Sequence, residues 1–125
     1  MRAVERIGRV LVPVADQDRA IAWYTGTLGC DLVADVAFGE GSRWVEVALP
    51  GGGTTLALVP PQGEFTHPRS TGIGFESADA GASHAALQGA GVDVDDVTGG
   101  EGSVPLFFFF RDPDGNQFMV AQPPR

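Results

Sequence analysis

Phe107-Phe-Phe-Phe-Arg-Asp112-Pro-Asp-Gly-Asn116-Gln-Phe-Met-Val120 is the stretch whose reading decides the fold. An apolar run of strand type enters a turn, and an apolar alternation leaves it. The segment Asp112-Pro113-Asp114-Gly115-Asn116 is dense turn chemistry. Proline fixes φ, Asp and Asn bond their own backbone, and glycine accepts positive φ. Strand, tight turn and strand make a hairpin. A fainter copy stands 62 residues earlier: Trp44-Val-Glu-Val-Ala-Leu49, Pro50-Gly-Gly-Gly53, then Thr54-Thr-Leu-Ala-Leu58. The same unit twice in 125 residues organises the rest of the chain.

The first copy is preceded by a strand over residues 7–14 and by a helix. Asp16 is the helix N-cap candidate, Ala20, Ile21, Trp23, Tyr24 and Leu28 recur at helical spacing, and Gly29 stands at the C-cap. Residues 32–38 read as a second strand, and 43–49 with 54–59 as the first hairpin. Residues 60–68 carry no periodicity and read as a linker. The pattern then restarts. Residues 71–77 form a strand, Asp79 echoes Asp16, and 83–87 lie on a helix closed by Gly89-Ala-Gly91. Residues 92–97 alternate as a strand before the Phe-rich hairpin. Each half is thus β-α-β-β-β, with an offset of 62 or 63 residues. The prediction is one domain over 1–125, with module one at 1–60, a linker at 61–69 and module two at 70–125.

Composition narrows the function. A chain of 125 residues is long enough to bury a core. No run approaches the roughly 18 apolar residues of a membrane span, and no signal-peptide core is visible, so a cytoplasmic protein is expected. The single cysteine, Cys30, excludes an internal disulfide and a cysteine-rich metal site, and reads as packing. A net charge of −8, with scattered arginines as the only strong cations, argues against nucleic acid and anionic membranes as partners. Eighteen glycines and nine prolines suit short strands and turns.

With the repeat established, the chain resembles the vicinal oxygen chelate superfamily, which includes glyoxalase I, bleomycin-resistance proteins and extradiol dioxygenases. The matching residues are Val12-Pro-Val-Ala-Asp16, the helix ending Trp23-Tyr24 and Leu28-Gly29, the strand Gly72-Ile-Gly-Phe-Glu76, and Arg111-Asp-Pro-Asp-Gly-Asn116. The resemblance implies an α+β fold: two tandem βαβββ modules forming an open, cup-shaped mixed β-sheet with helices outside. It also implies a ligand site in the cup, often completed by a partner subunit, so a homodimer is expected.

In metal-dependent members of that superfamily, His or Glu side chains enter from the first and last strand of each module. The corresponding positions here are Arg9, Ala57, Gly72 and Met119. None supplies the nitrogen or oxygen donors that a divalent ion requires. Shifting any of the four by one residue restores no donor set. His67, in the linker, and His84, on the second helix, read as surface or helix residues rather than ligands. No metal and no cofactor is therefore expected, and glyoxalase or dioxygenase chemistry is not.

Strand alternation then fills the cup. The same parity places Arg9 and Leu11, Ala57, Gly72, Gly74 and Glu76, and Gln117 and Met119 inside. Trp44 and Glu46 join them from the third strand, and the repeat offset adds Phe108 and Phe110. Such an interior is mostly apolar with sparse polar groups, as small-molecule pockets are. Each residue also has a plainer reading. Trp44 and the Phe run could be core or interface packing, Met119 filler, and the two glycines room for sheet curvature. Arg9 either bridges to a carboxylate or receives an oxygen of the ligand. The sequence therefore points to metal-independent binding, by sequestration or carriage, of an aromatic or amphipathic small molecule. The alternative is a metal-independent isomerase- or hydrolase-type enzyme using Glu46 or Glu76 with Arg9. In that reading Glu46, beside Trp44, would act as a general base with a raised pKa.

Overall fold

The structure is a computed structural model that describes residues 2–123. The outermost positions of the two expected modules, Met1, Pro124 and Arg125, lie outside the described residues. The chain divides into two compact units between Thr66 and His67. The first contains β1 (Arg9–Pro13), α1 (Gln17–Gly26), β2 (Asp31–Ala37), β3 (Arg43–Ala48) and β4 (Thr55–Val59). Its sheet runs β1-β4-β3-β2, with β1 parallel to β4 and the other neighbours antiparallel. The second contains β5 (Ser70–Glu76), α2 (Ala80–Gly89), β6 (Asp93–Val94), β7 (Thr98–Gly99), β8 (Leu106–Arg111) and β9 (Gln117–Ala121). Its sheet runs β5-β9-β8-β6, with β7 also paired to β8. The fold is α+β, with two mixed sheets, neither of which closes into a barrel among the described residues.

Each helix starts where its cap residue dictates. Asp16 accepts from the Arg19 amide at 3.0 Å and Asp79 from the Ala82 amide at 3.0 Å, so each carboxylate satisfies one orphan donor of its helix. In the first unit Ala20 and Tyr24 of α1 are buried, together with Val12, Val45, Val47, Leu56 and Leu58 of the sheet. Gln17 anchors the helix start, donating through Nε2 to the carbonyls of Arg43 and Leu58 at 3.0 and 2.9 Å. In the second unit Ala80 and Leu87 of α2 are buried with Phe108, Phe110, Phe118 and Val120. Full burial of each Phe contributes about 1.5–3 kcal/mol.

The strand expected over residues 92–97 is a correction. Ladder pairing holds only at Asp93–Val94 and Thr98–Gly99. The interruption falls at Asp95-Asp96-Val97, and aspartate is depleted in strands because its side chain competes for backbone donors.

The turn at Asp112–Asn116 closes as its residues require. The Asp112 carboxylate is buried, and its Oδ1 accepts from the amides of Asp114 and Asn116, both at 2.9 Å. Its Oδ2 accepts from Asn116 Nδ2 at 2.9 Å, and Gly115 takes φ 83°. This five-residue turn makes Arg111 and Gln117 direct partners and so sets the register of the whole hairpin.

Candidate functional site

On the first sheet, Val45, Val47, Leu56 and Leu58 are buried core. The alternate residues therefore stand on the sheet's other, open face. Arg9 pairs with Thr55, Leu11 with Ala57, and Glu46 with Ala57 across the ladders, so Arg9, Leu11, Trp44, Glu46 and Ala57 share that face, on which Ala57 is itself fully buried. Leu11 is 44% exposed and Val36 of β2, paired with Trp44, is 55% exposed. Phe38 lies 6.4 Å from the Trp44 ring.

Glu46 sits at the hub of this face. Its Oε2 accepts from Trp44 Nε1 at 2.6 Å, and its Oε1 accepts from Thr55 Oγ1 at 2.5 Å and Arg9 Nε at 3.4 Å. The Thr55 and Trp44 hydrogen bonds, joined by Arg9, hold the carboxyl below its ordinary range despite its burial. The raised pKa that the enzyme alternative requires of Glu46 is thereby corrected, and a carboxylate with its proton affinity lowered is a poorer general base. Glu46 instead braces the indole and the guanidinium.

The second sheet overturns the expected parity of the Phe run. Phe108 and Phe110 are fully buried on the α2 side. Phe108 meets the His84 ring edge-on at 5.2 Å, while Phe110 stacks on Phe118 at 5.4 Å and Phe75 at 6.0 Å. The cause is turn length. In the first hairpin Glu46 pairs with Ala57, whereas in the second Phe109 pairs with Met119, one residue fewer between partners. A single-residue change in register moves every side chain to the opposite face. Phe107, Phe109 and Arg111 therefore take the open face opposite Ala121, Met119 and Gln117. Registering the second hairpin on its own turn, rather than on the repeat, would have revealed this.

Gly74 pairs with Met119 and Glu76 with Ala121, so Gly74, Glu76, Gln117 and Met119 share that open face as expected. Between Ser70, which pairs with Gln117, and Gly74 the ladder is bulged, and Gly72 takes φ 71° there. The register partner of Arg9 in this sheet is thus Ser70 rather than Gly72. A hollow of about 130 Å³ opens beside the bulge, lined by Ser70, Gly72, Gly74, Phe109, Gln117 and Met119, among others. A Cβ at Gly74 would stand 3.2 Å from the Met119 methyl, so glycine keeps the hollow clear.

Arg111 fixes the polar end of this face. It bonds Asp93 through Nε at 2.9 Å and Asp95 at 2.7 Å, and donates to Gln117 Oε1 at 3.1 Å. These hydrogen bonds from Arg111 hold both aspartates below their usual range. Arg111, Asp93, Asp95, Phe107, Phe109 and Ser70 are residues that the sequence reading left out of the site.

The residues at the four superfamily ligand positions do not fit a metal. A guanidinium, a methyl group, a bare Cα and a thioether offer no hard donor, and Ser70 in place of Gly72 adds only a neutral hydroxyl. Among the described residues no group of three or more His, Cys, Asp or Glu is placed to hold an ion. His84 Nε2 lies 2.9 Å from the Asp95 carbonyl, a packing contact of α2. Cys30 is buried, and burial pushes its thiol up to about 11. No helix among the described residues is long and apolar enough to cross a membrane.

Comparison with known proteins matches this architecture throughout. The model of the Glyoxalase/Bleomycin resistance protein/Dioxygenase superfamily matches residues 6–120. TnmS3, an antibiotic binding protein from Streptomyces sp. CB03234, superposes with a TM-score of 0.87 at 34% identity, covering 98% of this chain and 99% of that one. A superfamily member from Sphaerobacter thermophilus DSM 20745 gives 0.88 at 28% identity, covering 95% and 98%. The uncharacterized protein YetH of Bacillus subtilis (strain 168) is 30% identical over 122 residues, covering 95% of this chain and 99% of its own length.

Proposed function

Because the chain belongs to the Glyoxalase/Bleomycin resistance protein/Dioxygenase superfamily, we propose that it binds an aromatic or amphipathic small molecule without a metal, for sequestration or carriage. The observation that carries this reading is the composition of the open sheet faces. The first unit's face presents Trp44 and Leu11 beside Arg9 and Glu46, and the second unit's face, taken by itself, lines its hollow with Phe109, Met119 and two glycines beside Ser70 and Gln117. Arg9 is the cation that receives an oxygen of the ligand: its side chain is 52% exposed, and only Nε is engaged by Glu46. The similarity to TnmS3 supports binding over turnover, since that protein is an antibiotic binder. The exposed Leu11, Val36 and Phe38 support a homodimer in which a second copy covers apolar surface.

The test is a panel of aromatic antibiotics and metabolites, read by thermal shift and calorimetry after dialysis against chelator. A ligand at 100 times its Kd adds about 2.7 kcal/mol, roughly 10 °C in Tm for a domain of this size. Saturable binding with the compound recovered unchanged is the expected result. Stabilisation by no compound, binding that needs a restored metal, or turnover of the bound compound would refute it. Sedimentation that finds only monomer at tens of micromolar would refute the dimer.

A further inference from the structure

We propose that the hollow beside Gly74 on the second sheet takes one planar ring bearing a hydrogen-bond acceptor, which the Gln117 amide recognises through Nε2 while Arg111 holds that amide in place. The inference rests on the small-molecule reading above and narrows it to a ligand class.

Size comes first. An apolar cavity of about 150 Å³ takes benzene, and this hollow measures about 130 Å³, so a single ring fits and a fused system enters by one edge. Its walls suit a ring. Phe109 offers an aromatic face, Met119 a polarizable thioether, and Gly74 a strand surface with no side chain in the way.

Polarity follows from the chemistry of Arg111. A guanidinium only donates, so the Gln117 atom that meets Arg111 Nη1 at 3.1 Å must be the carbonyl oxygen. Arg111 is itself fixed by Asp93 and Asp95 at 2.7 to 3.2 Å and cannot swing away to let the amide turn over. The amide nitrogen is left as the other terminus of a residue that lines the hollow, and among the described residues it has no partner. Two N–H groups are thereby presented without an acceptor. A carbonyl, phenolate or ring nitrogen satisfies them, whereas an amino group does not. Arg111 is a positioning residue and Gln117 the recognising one.

The probes are acetophenone, ethylbenzene and aniline, titrated into isotope-labelled full-length protein and followed by the backbone amides of Gly74, Phe109 and Met119 and the Gln117 side-chain amide. Acetophenone is expected to bind about fivefold or more tighter than ethylbenzene, the ratio one neutral hydrogen bond supplies, and to move the Gln117 side-chain amide. Gln117→Glu turns the donor into an acceptor that still pairs with Arg111, so it should abolish the acetophenone preference while ethylbenzene binding persists. Arg111→Met should leave the Gln117 amide free to turn over and erode the same preference, with both its proton signals shifted. Gly74→Ala should weaken all three probes together. Equal binding of acetophenone and ethylbenzene, or a preference for aniline, overturns the assignment of Gln117 as donor. No perturbation of the hollow by any probe overturns the ring site. Neither result touches the broader binding reading, which the antibiotic panel decides.

Discussion

Replacing Phe110 and its neighbour Phe109 by alanine, one at a time, tests the parity on which the site rests. Phe110 is fully buried and stacks on both Phe118 and Phe75. Its removal leaves a cavity that rigid stacked rings cannot collapse to fill, so Phe110→Ala should cost about 4 kcal/mol. Phe109 is half-buried on the open face, and its ring meets Phe107 at 5.9 Å. Phe109→Ala should cost about 1 kcal/mol, the size of a partly exposed truncation. With a urea slope of about 1.5 kcal/mol per molar, the midpoint falls by roughly 2.5 M for the first and less than 1 M for the second. A stability of roughly 10 kcal/mol leaves both variants folded in water. Where Phe110→Ala is too unstable to purify, Phe110→Leu should still lower the midpoint more than Phe109→Leu. Ring-probe binding should show the reverse order, weakened by the change at 109 and kept by the change at 110. A Phe109 variant as unstable as its Phe110 counterpart, or more so, would refute the assignment of faces.

Glu46→Gln should destabilise the protein by about 1 kcal/mol at pH 7, because three donors favour the ionised form. A depressed folded pKa contributes stability above the unfolded value of 4.5 and loses it as pH falls through the folded value. The Tm gap between wild type and Glu46→Gln should therefore be present at pH 7 and shrink well below pH 4, and a gap independent of pH would refute the brace. Cys30, buried with its thiol pushed up to about 11, should resist a thiol reagent at pH 8 in the native state and react fully in urea. Rapid native labelling would show that the thiol is not buried in the folded protein.

The sequence alone carried the order of elements, because alternation, turn residues and caps are local. Asp16 and Asp79 cap their helices, the turn at Asp112–Asn116 closes the second hairpin, and the repeat separates two units, the first βαβββ and the second the same order with its middle strand broken into β6 and β7. It also carried the face shared by Arg9, Leu11, Trp44, Glu46 and Ala57, since β1, β3 and β4 keep simple alternation. Tertiary structure decided whatever depended on pairing between strands. The second hairpin is one residue tighter than the first, so Phe107 and Phe109 replace Phe108 and Phe110 on the open face. The bulge at Gly72 shifts the counterpart of Arg9 to Ser70. Glu46 is held ionised by Thr55 and Arg9 from neighbouring strands as well as by Trp44 two residues away, and Gln117 owes its orientation to Arg111, which Asp93 of β6 and Asp95 just beyond it hold in place. Periodicity records which residues alternate along one strand, but only hydrogen bonding to the neighbouring strand fixes which of the two sets faces the helix.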